Sequence, residues 1–131
     1  MPQKPQLRNE RGQTMVEFAL VLPVLALLLF GVIQFGIAFN NYLAITDAAR
    51  AGARKAVVSR EASNPAGLAE QEVRASASNL DQTQLKVSVS PPPWSPGSDV
   101  TVDVTYPYSI HLLGLLNING NLHSKVQERV E

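Results

Sequence analysis

The sequence predicts an α+β membrane protein. A long N-terminal transmembrane α-helix continues outward as a rod, followed by a small extracytoplasmic domain of one amphipathic helix on an antiparallel sheet of about three strands. Three observations predict it. Between Glu17 and Asp47 lie 29 consecutive residues without formal charge, a gap that a soluble chain of 131 residues has no core large enough to bury. Phe18 to Phe39, FALVLPVLALLLFGVIQFGIAF, contains only Gln34 as a strongly polar residue; as a helix it spans about 33 Å, against about 30 Å of hydrocarbon. The last third of the chain changes to strand periodicity, with Val100, Val102, Val104 and Tyr106 alternating with polar neighbours.

In chain order, residues 1–12 form a short leader carrying Lys4, Arg8 and Arg11. Residues 13–60 form the long helix, with the transmembrane segment at about 18–39. Pro23 removes one backbone donor inside the segment, which bilayer helices tolerate. Gly31 and Gly36 are thin places where another helix can approach. Arg50, Arg54 and Lys55 beyond the segment roughly balance the basic leader, but the leader lies closer to the membrane, which favours a cytoplasmic N-terminus. From Asn40 to Val58 the composition stays helical. Tyr42, Ile45, Ala49, Gly52 and Ala56 fall near one face, and Ala48, Gly52 and Ala56 form a small-xxx-small row for helix packing. Arg50 and Arg54, one turn apart, suit a solvated face, lipid phosphates or a neighbouring subunit.

Residues 61–131 form the extracytoplasmic unit. Ser63 to Gly67 breaks the helix, with Pro65 suited to a new helix start. Leu68 to Leu80 then reads as amphipathic through Ala69, Val73, Ala77 and Leu80, a face expected to pack on the sheet. Leu85, Val87 and Val89 mark a first strand and Val100 to Tyr106 a second, joined by the proline-rich loop SPPPWSPG with Trp94 partly buried. Asn117-Ile118-Asn119-Gly120 is expected to form the next turn, and a last strand is expected from about Leu122 to Val130.

Several function classes fall away. Eleven basic and eleven acidic residues cancel, which gives no footprint for nucleic acid. The chain has no cysteine, and His111 and His123 have no acidic or histidine partners at ligand spacing. No phosphate-binding glycine loop and no nucleophile motif occur. The expectation is a non-enzyme with no metal, no cofactor and no small-molecule substrate.

The most informative stretch is Arg11-Gly12-Gln13-Thr14-Met15-Val16-Glu17-Phe18, where a basic leader ends in glycine and a glutamate follows five residues later at the edge of the apolar run. A carboxylate at that depth is costly unless paired. Glu17 could serve as an anionic cap at the helix start. The pattern also resembles the processing site of type IV pilin precursors, whose leader is removed after the glycine by a prepilin peptidase. By that resemblance cleavage falls between Gly12 and Gln13, and Glu17 becomes the fifth mature residue, positioned to neutralise the N-terminal amine of a neighbouring subunit.

The resemblance narrows further. Glu17-Phe18, Pro23, Phe30-Gly31, Phe35-Gly36, Tyr42 and the block Ala48-Ala49-Arg50-Ala51-Gly52-Ala53-Arg54 make Gln13 to Val58 similar to the N-terminal half of the TadE-like pseudopilins of the Tad (Flp-type) pilus system. Glu17-Phe18 stands where the short major pilins carry Glu-Tyr, and the chain is longer than they are, so the resemblance implies a minor pilin. It implies as partners a prepilin peptidase, other minor pilins, the major Flp-type pilin, and an inner-membrane platform with its ATPase. It also implies a single-pass place in the bacterial inner membrane, with the C-terminal domain outside. Two alternatives remain at this stage. One is a non-polymerising, signal-anchored envelope protein whose C-terminal domain binds a partner, and the other is a secreted domain cut after Ala38.

Overall fold

The computed structural model describes residues 7–131, so Lys4 and the first half of the expected leader lie outside the described residues. The chain order is α1 (Leu7–Val58), α2 (Pro65–Ser76), β1 (Lys86–Val89), β2 (Asp99–Leu112) and β3 (Leu116–Arg129). α1 is a single 52-residue helix that continues through Pro23. Alanine, leucine and other good helix formers dominate it, so losing one backbone bond at Pro23 does not end it. It is long and apolar enough to cross a membrane, and none of its most apolar 18-residue window is buried against the rest of the chain. That combination suits a single-pass membrane anchor and does not suit the core helix of a soluble protein.

α2 begins at Pro65, the residue the sequence marks as suited to a helix start, ahead of the expected Leu68. Asn64 caps it by accepting from the Gly67 backbone N–H at 3.1 Å, and Pro65 occupies the first turn, where its missing N–H costs nothing. The helix ends at Ser76, and a turn carries the same apolar face onward, so Ala69, Val73, Ala77 and Leu80 are all buried. This face does not rest chiefly on the sheet, as the sequence suggested. It packs mainly against the outer end of α1, where Gly52 leaves space for Val73 and lets the two helices approach.

The sheet is antiparallel with order β1-β2-β3. β1 pairs with β2 from Lys86↔Thr105 to Val89↔Val102, and β2 pairs with β3 from Asp99↔Arg129 to Leu112↔Leu116. The second hairpin is much longer than expected. Its turn is not at Asn117 to Gly120, which lie inside β3, but at Leu112 to Leu115, closed by a bond from the Leu115 N–H to the Leu112 carbonyl at 2.9 Å. Leu113 and Gly114 both have positive φ, 49° and 76°, the sign combination that matches strand twist in tight hairpins. Gly120 serves a different purpose. Opposite Tyr108 in register, it leaves the space that the tyrosine ring fills across the strand.

Two clusters form the core. Ile45, Ala48, Ala49 and Ala53 of α1 meet Val73, Leu85, Val102 and Val104, while Ala56 and Ala69 meet Trp94, Val100 and Val130. The folded unit is therefore built on the last four turns of α1 and does not begin at residue 61. Full burial of each valine contributes roughly 1.5–3 kcal/mol. Trp94 closes the second cluster, its indole N–H donating to the Ser90 carbonyl at 3.2 Å, which makes the proline-rich loop a structural connection.

After Leu80, Asp81 closes a turn by accepting from the Thr83 hydroxyl at 2.6 Å and the Thr83 N–H at 3.0 Å. These bonds, the hydroxyl first, hold its carboxyl below the ordinary 3.8 despite a small opposing effect of burial. A depressed folded pKa stabilises the fold above the unfolded value, and that stabilisation is lost as pH falls through the folded one. Thermal unfolding of the full chain in detergent should therefore show a wild-type loss as pH falls through and below the ordinary carboxylate range that Asp81→Ala lacks in part.

Candidate functional site

The Gly12–Glu17 junction stands on an exposed stretch of α1. Gly12 is open on all sides, and a Cβ built there meets nothing within 4 Å. The Gln13 side-chain amide donates to Glu17 Oε1 at 3.2 Å, and the Thr14 hydroxyl donates to the Glu10 carbonyl at 2.9 Å. The four-residue spacing puts Gln13 and Glu17 on one face, a single turn apart. The helix starts at Leu7, so Glu17 lies well beyond its first turn, and the acidic residue in that turn is Glu10. The helix dipole acts only over a terminal turn, so in the uncut chain it does not reach Glu17. Among the described residues its hydrogen-bond partner is Gln13.

The Gly12–Gln13 peptide bond is itself helical. A peptidase that takes its substrate extended would have to open these first turns before cutting there. Glycine, about 1 kcal/mol less favourable in a helix than alanine, lowers that cost at the bond concerned. Severing the bond turns the Gln13 amide nitrogen into an α-ammonium one turn before the Glu17 carboxylate.

The residues singled out for helix packing divide into three groups. Ala48, Gly52 and Ala56 are buried within the chain's own fold, against α2 and the sheet, and have no surface to offer a neighbour. Phe18, Pro23 and Gly36 are exposed on the bare part of α1. Gly31 and Tyr42 lie along the β2–β3 hairpin: a Cβ at Gly31 would sit 3.8 Å from Leu112 Cδ2, and Tyr42 shares an apolar groove with Phe39, Tyr108 and Ile110. Ala38 lines the same groove. Arg50 is exposed and pairs with Asp47 at 3.4 Å, a surface contact of small energetic weight.

The two histidines stand apart. His111 Nδ1 lies 2.7 Å from Asn117 Oδ1, and His123 Nε2 lies 2.6 Å from Asp103 Oδ1. The His123–Asp103 contact escapes sequence reading because the two residues are a diagonal cross-strand pair, visible only once the register is known. The sequence reading also gave no role to the leucines around Gly114, although Leu112 to Leu116 is leucine-rich in a charge-free stretch.

With this geometry described, comparison with known proteins bears on the same segment. The family model described as TadE-like protein matches residues 12–54, beginning at the junction glycine and ending at the buried outer turns of α1. No curated protein and no solved structure matches the chain.

Proposed function

From the premise that residues 12–54 are TadE-like, which associates the chain with the Tad pilus system, we propose that it is a minor pilin of that system. After its leader is removed behind Gly12, it takes part in initiating, tipping or stabilising a Tad (Flp-type) pilus used in surface adherence. The observation that carries this reading is the junction itself. An open glycine is followed by Gln13 and Glu17 on one helix face, at the entrance to an apolar helix that the chain leaves bare.

In this reading α1 has two successive environments. Before assembly it anchors the chain in the inner membrane, N-terminus inward, with the α+β unit outside. On assembly its bare face exchanges lipid for other subunits, which needs no refolding because the outer turns of α1 already belong to a packed core. The Glu17 carboxylate sits where an ammonium of a neighbouring subunit would otherwise be unpaired in an apolar surrounding, so charge neutralisation sets the axial register. The chain acts here as the substrate of a prepilin peptidase and is not itself an enzyme. Its other partners are further minor pilins, the major pilin and the membrane platform with its ATPase.

Intact mass and N-terminal peptide sequencing of the protein from its native host test the reading. The expected mature chain starts at Gln13. A chain retaining Met1 or Pro2 overturns leader removal and leaves a signal-anchored protein. A start at Phe39 would mean that the helix is discarded.

A further inference from the structure

We propose that the tip of the β2–β3 hairpin, Leu112-Leu113-Gly114-Leu115-Leu116, is a lipid-inserting wedge that seats in the outer leaflet beside α1. The proposal rests on the reading that α1 spans a membrane. Its partner is the apolar chain region of a lipid surface, and it sets the outer hydrocarbon boundary near Gly31 to Gln34, not at Phe39.

The hairpin runs far down the helix. Val102 packs beside Gly52, and Leu112 reaches the level of Gly31, inside the apolar segment. The 21 residues between Asp103 and Lys125 carry no formal charge, so the charge-free part of the hairpin lies alongside the charge-free part of α1. At the tip Leu113, Leu115 and Leu116 are 51%, 78% and 51% exposed. Leu113 also adopts φ 49°, a region that glycine or asparagine occupies with least strain. A branched apolar side chain held there and exposed points to an apolar medium around it.

The depth is bounded from both sides. If hydrocarbon reached Phe39, the polar face of the lower hairpin, Ser109, His111, Asn117, Asn119 and Asn121, would be immersed with the open edges of two strands. A bilayer interior does not accommodate unpaired strand edges. If the boundary lay below the tip, the leucines would stand in water. A boundary between these limits puts the leucines in the acyl region and the His111–Asn117 pair at the headgroups. Gln34, the polar residue of the apolar segment, then falls at the interface, half-buried on the same stripe of α1 as Gly31 and Ala38. Counting back about 20 residues, or about 30 Å, from this boundary reaches Gln13, so the segment from Gln13 to Val32 spans a full hydrocarbon thickness.

The chain has no cysteine, which permits single-site labelling. Leu115→Cys, Leu25→Cys and Ser63→Cys in the full chain would each carry an environment-sensitive fluorophore in vesicles of phosphatidylethanolamine and phosphatidylglycerol. Trp94 emission, recorded before labelling, confirms that each variant is folded. Lipids spin-labelled near the headgroup or near the chain end report depth, and iodide reports water. Leu115 should be quenched most by the shallow lipid label, Leu25 by the deep one, and Ser63 by iodide. Iodide quenching at Leu115 with lipid quenching at Leu25 overturns the wedge and leaves the anchor standing. Protection of Leu115 from both quenchers also overturns it, in favour of a second copy or another protein over the tip. Absence of lipid quenching at Leu25 overturns the anchor reading and the wedge together.

Discussion

Gly52→Leu should abolish the folded extracytoplasmic unit. A Cβ alone at this position overlaps Val73 Cγ2, lies 3.2 Å from the Ala69 carbonyl oxygen and 3.6 Å from Val102 Cγ1. A rotamer change relieves the valine contact, but the carbonyl is backbone and moves only with α2 as a whole. Both helices carry core residues on either side of the contact, so separating them opens both hydrophobic clusters. Gly52→Ala should already cost about 1–3 kcal/mol despite a gain in helix propensity of about 1 kcal/mol. With three further carbons, Gly52→Leu should shift Trp94 to the emission of a solvated indole without denaturant. Trp94 is the single tryptophan of the chain and sits in the cluster next to the contact, so urea unfolding in detergent followed by its fluorescence reads both variants directly. Gly36→Ala is the control, since that glycine faces open space and should leave the unfolding curve where it is. Wild-type stability in Gly52→Ala would show that the crossing of α1 and α2 is not set by this glycine.

The second large effect belongs to assembly. Glu17→Ala should leave the fold and the start at Gln13 unchanged while nearly abolishing piliation. The side chain is exposed and far from both clusters, so its removal creates no cavity. On the proposed reading it removes the partner of an ammonium in an apolar surrounding, where an unpaired charge costs about 3 kcal/mol, or roughly 100-fold in subunit association. Quantifying sheared surface pili against the membrane-bound subunit measures this. Glu17→Gln keeps a hydrogen-bond acceptor without the charge and should fall close to Glu17→Ala, because neutralisation is the larger contribution. Piliation at the wild-type level in both variants would remove Glu17 from the mechanism and favour a non-polymerising anchor.

Local chemistry was enough for many of the elements. Pro65 announces a helix start because it has no N–H to lose, and it acts there as the sequence indicates, while the Asn64 cap on the Gly67 N–H emerges from the structure. The alternation from Val100 to Tyr106 marks a strand with one buried face, since side chains in a strand point to opposite sides at every step. The turn of the long hairpin was misread because Asn117-Ile118-Asn119-Gly120 has turn composition, whereas Leu112 to Leu115 does not. Composition favours a turn where positive φ is cheap. The pairing register and the run of the hairpin along α1 place it instead where Leu113 must bear the strain.

By itself the sequence determined what depends on spacing along one chain: the apolar helix, the Gly12-to-Glu17 interval, the helix start at Pro65 and the strand alternation. Each follows from the fixed rise and period of its own element, with no reference to a neighbour. The tertiary structure alone decided which small residues of α1 are spent inside the fold and which remain free. Ala48, Gly52 and Ala56 read as packing positions in either case, and only the placement of α2 and the sheet shows that the chain itself covers them. It also decided how far the hairpin descends, because that depends on a register between β2, β3 and α1 that no local pattern encodes.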